Sequence, residues 1–397
     1  MSSARHVLIA SHHLQEFAGS EIVTLELAAE FRRNGWTVDI AGFLVGDPML
    51  SAFNSRGFKV RSLIDDIDLI ADREYSLVWI HHAPVYYQLC LAHRIRAKKI
   101  IHSCLSPFEP LEVVPSAAKQ INFILANSQE TKYAVETILG PDDPRIRLFP
   151  NSVPFEFWQY SKDAYPTVPR KIGIVSNHLP SELIQAAKQL IEKKIDIVHI
   201  GKDGSRELVT PELLMGLDAV ITIGKTVQYC FALKIPVYCY DHFGGCGWIT
   251  EENFDHSARH NFSGRGFSTK SADSLVREIV EDYLQAQKSL PFLRFKAEQI
   301  YDLRRNLQDL LSKPLAYPVS LPNEEQNIVL ILRQHACYLR ILKQLRSMVE
   351  IGNSYRTVDA YLNETRRMWT WKLSAPLRYV ERWARRRWVI RKQRKTC

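Results

Sequence analysis

The segment Ile221–Trp248, ITIGKTVQYCFALKIPVYCYDHFGGCGW, constrains the fold more than any other part of the chain. It is entered through an apolar run, Ala219 to Ile223, that reads as a buried strand. Gly224-Lys225-Thr226 is a polar turn, and Val227 to Leu233 a short helix. Ile235 to Tyr240 reads as a second buried strand, ending in the glycine loop Asp241-His242-Phe243-Gly244-Gly245. Strand, turn, helix, strand and glycine loop make half of an open α/β site. Such sheets bind ligands beyond the carboxyl ends of their strands. The turn presents Lys225, Thr226 and backbone N–H groups at a helix N-terminus, where the helix dipole favours a phosphate. An ordinary βαβ unit with a solvated turn lysine accounts for the same pattern.

The alternation extends over most of the chain. Strands are expected at His6–Ala10, Thr37–Phe43, Leu77–His81, Lys99–His102 and Phe123–Ala126, with helices between them. In Glu21–Asn34, Ile22, Leu25, Ala28, Ala29 and Phe31 form an apolar face, and Gly35 ends the helix. This is a doubly wound pattern around a parallel sheet. Tyr160–Arg170 is polar, carries proline and reads as a linker. A second α/β set follows at Lys171–Val175, Ile195–Ile200, Ala219–Ile223 and Val237–Tyr240, and Ser271–Ser312 is mostly helical. The expected organisation is an N-terminal Rossmann-like domain over 1–165 and a second over 166–315, facing across a cleft. A helical extension over 320–365 and a basic tail over 366–397 complete it. In the extension, Asn323–Val349 has helical spacing, and Gly352-Asn353-Ser354 is expected to break it.

Several blocks together resemble GT-B glycosyltransferases, in particular bacterial enzymes that build surface polysaccharides (family 4-like). They are Gly224-Lys225-Thr226-Val227-Gln228 with Pro236-Val237-Tyr238 and Asp241–Gly245, Ala18-Gly19-Ser20-Glu21 after the first strand, and Asn127-Ser128 after Phe123–Ala126. Leu148-Phe149-Pro150-Asn151-Ser152-Val153 completes the set, with Ser152 where a glycine is usual. The blocks span roughly residues 5 to 270. The resemblance implies transfer of a sugar from a nucleotide-sugar donor, with the donor in the second domain and the acceptor and base in the first. It also implies that no metal is needed. One departure matters. The Glu-x7-Glu pair of many retaining relatives is absent, its positions holding Ile221 and Tyr229.

Sugar transfer needs a stabilised leaving diphosphate, a slot for the sugar and a placed acceptor hydroxyl. Candidates for the donor side are Gly224, Lys225, Thr226 and Gln228 at the turn, and Asn177 and His178 after the first strand of the second domain. Gly201 closes the next strand, beside His199, which reads equally as a core histidine. Asp241, His242, Gly244 and Gly245 follow the last strand, where adjacent glycines permit close backbone approach or make only a tight turn. Arg265, in the loop Asn261–Gly266, is placed to reach a phosphate. On the acceptor side lie Gly19 and Ser20. Candidate bases are His13, His102 and Glu21, histidine being a natural base near neutral pH. Glu21 alternatively caps its helix. Asp66-Ile67-Asp68 is formally an Asp-x-Asp triplet but reads as a turn, so no metal site is expected.

Composition sets the surroundings. No run approaches the ~18 apolar residues of a membrane span. The opening MSSARHVLIASHH reads as a first strand rather than a signal peptide. Seven scattered cysteines without a Cys-x-x-Cys suit reduced thiols in a cytoplasm. The net charge of +9 is uneven: residues 366–397 hold 12 Lys/Arg and one acid, Glu381, so the remainder is slightly acidic. That tail also carries Trp369, Trp371, Trp383 and Trp388, a composition suited to an anionic lipid surface. Trp371–Arg378 resembles a motif in tails of bacterial polysaccharide glycosyltransferases. The expected protein is a glycosyltransferase, peripheral on the inner face of the plasma membrane, with a glycan acceptor that is lipid-linked and no nucleic-acid partner. The alternatives are a nucleotide-sugar epimerase of the same architecture, or a catalytically inactive membrane-tethered binding protein.

Overall fold

A computed structural model describes residues 5–317 and 324–367 of the 397-residue chain. The first sheet is built from β1 (His6–Leu14), β2 (Thr37–Val45), β3 (Val60–Ser62), β4 (Leu77–Ile80), β5 (Ile100–Cys104), β6 (Phe123–Ala126) and β7 (Ile146–Leu148). Its order is β3-β2-β1-β4-β5-β6-β7, and every pairing is parallel. The order reverses beside β1, which places the crevice of this domain at the carboxyl ends of β1 and β4. Helix α1 (Gly19–Arg33) packs Leu25, Ala28 and Phe31 onto the sheet, as its apolar spacing requires. Helix α2 (Gln129–Leu139) follows β6 and is capped by Ser128, whose hydroxyl accepts from the Thr131 N–H at 3.1 Å.

The second sheet contains β8 (Lys171–Val175), β9 (Asp196–Ile200), β10 (Ala219–Thr222), β11 (Val237–Asp241) and β12 (Gly244–Trp248), in the order β9-β8-β10-β11-β12. Four strands are parallel, and β12 turns back antiparallel on β11. Helix α3 (Ser181–Glu192) covers one face, and α4 (Lys225–Leu233) the other. The mixed α/β architecture is the expected one: two doubly wound domains with the carboxyl ends of their strands turned to a shared cleft.

Three features depart from the sequence expectation. Gly244 and Gly245 form the start of β12 rather than a loop. A Cβ on Gly245 would fall 1.9 Å from the Cys239 carbonyl oxygen, so glycine here permits close strand packing. Helix α5 (Leu303–Ser312), expected with the second domain, returns to the first. Its Leu303, Leu307 and Leu310 join Val7, Phe31 and Trp79 in the first core, each worth roughly 1.5–3 kcal/mol of burial. Finally, α6 (Glu324–Arg367) runs unbroken through Gly352-Asn353-Ser354. A glycine costs a helix interior only about 1 kcal/mol, which the long flanks on either side outweigh.

The chain divides into two compact units at Leu332/Arg333. Among the described residues, no helix is long and apolar enough to cross a membrane, and the described cysteines are free thiols. The basic Trp-rich tail from Met368 onward lies outside the described residues.

Candidate functional site

The two domains enclose a cleft of about 330 Å³. Its floor is made by the carboxyl ends of β8 to β11 and the N-terminus of α4, and its opposite wall by the loop from Glu16 to Gly19. Gly224 precedes α4 at φ +61° and ψ −131°, a conformation open only to glycine, which turns the chain from β10 into the helix with Lys225 and Thr226 at the cleft. Gln228 stands one turn in and is buried. In the orientation that satisfies its amide, its nitrogen donates to the carbonyls of Gly224 and Lys225 at 2.7 and 2.8 Å. It therefore braces the turn from behind rather than facing the cleft.

Asp241 knits two strand ends together. Its carboxylate accepts from Ser176 Oγ at 2.8 Å and from its neighbour's backbone, His242 N–H, at 2.7 Å. Ser176 Oγ in turn accepts from the His178 N–H at 2.9 Å. His178 and His242 meet edge to face at 5.7 Å, both exposed at the rim. Asn177 spans the cleft: its Oδ1 accepts from the Lys202 N–H at 3.0 Å, and its amide donates to the Phe17 carbonyl at 3.5 Å. Gly201 lines the cleft at the end of β9, with Lys202 and Arg206 beyond it. His199 is half-buried and absent from the cleft lining; its Nε2 sits 3.0 Å from the Ser176 carbonyl.

Several residues that sequence reading groups with the donor lie elsewhere. Gly244 and Gly245 are buried in the β11–β12 hairpin and are absent from the cleft lining. Arg265 is held by Glu130 at the start of α2, its Nε 2.9 Å and Nη2 2.5 Å from Glu130 Oε2. His260 Nδ1 approaches the same carboxylate at 3.2 Å. The guanidinium also lies over Phe108 and Phe243, so Arg265 clasps one domain to the other. Lys225 lines the cleft yet is engaged: its ammonium meets Glu26 of α1 at 2.5 Å and donates to the Ser152 carbonyl at 2.8 Å.

On the first domain, Gly19 lines the cleft while Ser20 turns inward, its carbonyl accepting from Thr24 Oγ1 at 2.8 Å. Glu21 Oε1 accepts from the Gln15 and Glu16 N–H groups at 2.7 and 2.9 Å, so the carboxyl shapes the cleft wall. Burial pushes it up to about 7 against those hydrogen bonds. Elsewhere on the first domain stands a cluster of histidines, His12, His13, His81 and His82 with His102 nearby, none of which lines the cleft. The His12 N–H donates to His82 Nδ1 at 3.0 Å, which puts the proton of neutral His82 on Nε2. Glu112 Oε1 lies 4.0 Å from that Nε2. Glu112 Oε2 accepts from the Leu105 and Ser106 N–H groups, both at 2.5 Å.

The cluster is held neutral by burial and by mutual repulsion. Burial and then the His13 charge bring His12 down to about 4. Burial, with the neighbouring histidines, brings His81 to about 3. His82 is lowered for the same reasons, and burial lowers His102 to about 4 against the opposing Glu112 backbone. Burial also pushes Glu112 up to about 8. His102 is fully buried within β5. Among the three candidate bases only His13 is partly exposed; burial lowers it while Glu109 opposes the shift.

Asp66 and Asp68 lie outside this site. The Asp66 carboxylate accepts from the Ser62 N–H at 2.9 Å and closes a turn, while Asp68 is exposed. Among the described residues, no group of three or more His, Cys, Asp or Glu is arranged to hold a metal ion. Sequence reading missed Ser176, Lys202 and Arg206, which follow the same strand ends as the residues it chose, and Glu26, which no local spacing reveals.

No protein-family profile matches the sequence. Comparison with curated proteins also finds no match. Solved structures do match. TarM of S. aureus, in a complex with fondaparinux, alpha-GlcNAc-glycerol and UDP, aligns at a TM-score of 0.53 and 10% identity, over 77% of this chain and 99% of that one. A protein of Listeria monocytogenes assigned as a UDP-N-acetylglucosamine 2-epimerase aligns at 0.50 and 12%, over 80% of this chain and 100% of its own. The chain therefore has the GT-B fold.

Proposed function

We propose that this protein is a glycosyltransferase that moves a sugar from a nucleotide-sugar donor to a glycan acceptor. The observation that carries the reading is the interdomain cleft with the N-terminus of α4 in its floor: helix N–H groups, Thr226 and Lys225 stand together where a diphosphate leaving group would be stabilised. TarM, of the same fold, was crystallised with UDP. Lys202 and Arg206 add two cations at the mouth. Asn177, His178, Asp241 and His242 form the polar rim beside them and are proposed to orient the donor sugar.

His13 is the proposed base. It is the accessible member of the histidine cluster, and its lowered pKa keeps it deprotonated, as a base must be, at neutral pH. His13→Gln is expected to lower the transfer rate by about 10²–10⁴-fold, the usual contribution of acid–base catalysis, with little change in donor affinity. In the parent protein the acid limb of the rate profile should fall below the ordinary histidine value of 6.5. An acid limb unaltered by the substitution would remove His13 from this role.

The transfer is proposed to be metal-independent, since protein cations and a helix dipole stand where a divalent ion would otherwise balance the diphosphate. Activity should survive EDTA, and Asp66→Asn and Asp68→Asn should be nearly neutral. Loss on chelation with recovery in Mn or Mg would overturn this. The acceptor is proposed to be lipid-linked, and the protein to sit on the cytoplasmic face of the membrane, on the strength of the basic Trp-rich tail.

The deciding experiment is a thermal-shift panel of UDP-, GDP-, dTDP- and CMP-linked sugars, followed by product analysis with the best ligand. A ligand of the folded state raises the melting temperature by mass action. The second reading, an epimerase, is kept by the Listeria neighbour. It predicts an isomerised nucleotide sugar without acceptor. A panel with no response would overturn both.

A further inference from the structure

One carboxylate of the first domain, itself outside the cleft lining, crosses to a lysine that lines the cleft. Glu26 lies midway along α1, and its Oε2 is 2.5 Å from Lys225 Nζ. Its Oε1 accepts a hydrogen bond from the Tyr229 hydroxyl, and the Tyr229 ring stacks on Phe157 at 4.1 Å. The Lys225 and Glu26 side chains are 11% and 12% exposed. Burial raises the Glu26 carboxyl, and the Lys225 charge and hydrogen bond, with the Tyr229 hydroxyl, oppose the rise.

An ammonium has three donors. Two of those on Lys225 are taken, by Glu26 and by the Ser152 carbonyl. Both partners belong to the first domain or its exit, while Lys225 itself lines the cleft beside Thr226. The strongest attraction on the proposed diphosphate ligand is thus already answered by another anion.

We infer that Glu26 is a positioning residue: it is the counter-ion that a diphosphate displaces from Lys225, so donor and Glu26 compete for one ammonium. The inference rests on the donor reading above. When the diphosphate takes Lys225, Glu26 keeps its bond from Tyr229, and one of the ties between the domains is released as the ligand enters.

The test uses the full chain and inorganic pyrophosphate, which isolates the diphosphate from the choice of base and sugar. Affinity is measured by calorimetry at fixed ionic strength for the parent, Glu26→Gln, Lys225→Ala and the double variant. The amide that replaces the carboxylate still accepts from Tyr229 but carries no charge, so Glu26→Gln should bind pyrophosphate about tenfold more tightly. Lys225→Ala should bind weakly, and the double variant should match it, because Glu26 acts only through Lys225. Unchanged or weaker binding by Glu26→Gln overturns the inference, as does a gain that persists in the double variant. If Glu26→Gln does not fold, Glu26→Asp, which withdraws the carboxylate from Lys225, should show a smaller gain, and no gain overturns it. A positive nucleotide-sugar panel with no gain in these variants removes this inference alone, whereas a silent panel removes the donor reading first.

Discussion

Lys225→Ala is expected to weaken nucleotide-sugar binding by one to two orders of magnitude. A charge-assisted hydrogen bond to a diphosphate is worth roughly 1.5–3 kcal/mol, and Lys225 stands at the helix N-terminus in the cleft floor. Sequence reading attaches little folding cost to this change. The structure attaches one. Removing the ammonium strands the Glu26 carboxyl between domains with only Tyr229 for a partner. An unsatisfied buried group costs about 1–3 kcal/mol, moderated here because Glu26 can take up a proton. The variant should therefore melt earlier while staying folded at room temperature. Titration of the best panel ligand, beside a melting curve, separates the two effects. Unchanged donor affinity and rate would remove Lys225 from the site.

Deleting residues 366–397 is expected to abolish binding to anionic vesicles and to move the protein into the soluble fraction. The segment holds 12 Lys/Arg, one acid and four tryptophans. Basic residues near an anionic surface contribute on the order of 1 kcal/mol each, and even partial engagement suffices for anchoring. Binding of the intact protein should fall as salt rises, because surface charge is screened over about 10 Å at 0.1 M. Both α/β cores close among residues 5–312, so the truncated body should remain folded. It should retain more activity on a short soluble acceptor than on a lipid-linked one. Continued pelleting with membranes would shift the anchor to α6. Binding to nucleic acid with a steep salt dependence, in place of vesicles, would assign the tail a different partner.

The parallel cores were legible because period and apolar runs are local signals. His6–Ala10, Phe123–Ala126, Lys171–Val175 and Val237–Tyr240 all fall within observed strands. Short strands such as Val60–Ser62 and Ile146–Leu148 escaped because three residues carry too little pattern. Gly244 and Gly245 read as a loop because glycine weakens a strand by propensity. Here close contact with the Cys239 backbone selects it instead. The cleft itself was legible at Asn177, Gly201, Lys225 and Asp241, since the ends of parallel strands are where such sheets place ligands. What could not be read was the engagement of the cations. Arg265 meets Glu130 from 135 residues away, and Tyr229 meets Glu26 from 203. Such pairs arise only once two separately folded layers face each other, and no spacing rule encodes them. The return of α5 was hidden for the same reason: its apolar stripe fits either core.

That return means the chain passes between the domains twice, and the passages lie side by side. The Val153 N–H donates to the Tyr301 carbonyl at 2.6 Å, the Leu303 N–H donates to the Val153 carbonyl at 3.1 Å, and Val153 pairs with Asp302 in parallel. A single covalent thread would act as a swivel, free to turn about its own length. Two threads laced together act as a leaf spring. They bend across their common plane, but rotation about the long axis would shear the lacing. Any opening of the cleft is thereby expected to follow the bend and not the twist, which would keep the α4 turn opposite the same face of the first domain. A cut in either thread would leave the domains joined by the other, yet convert a guided stroke into a loose tether.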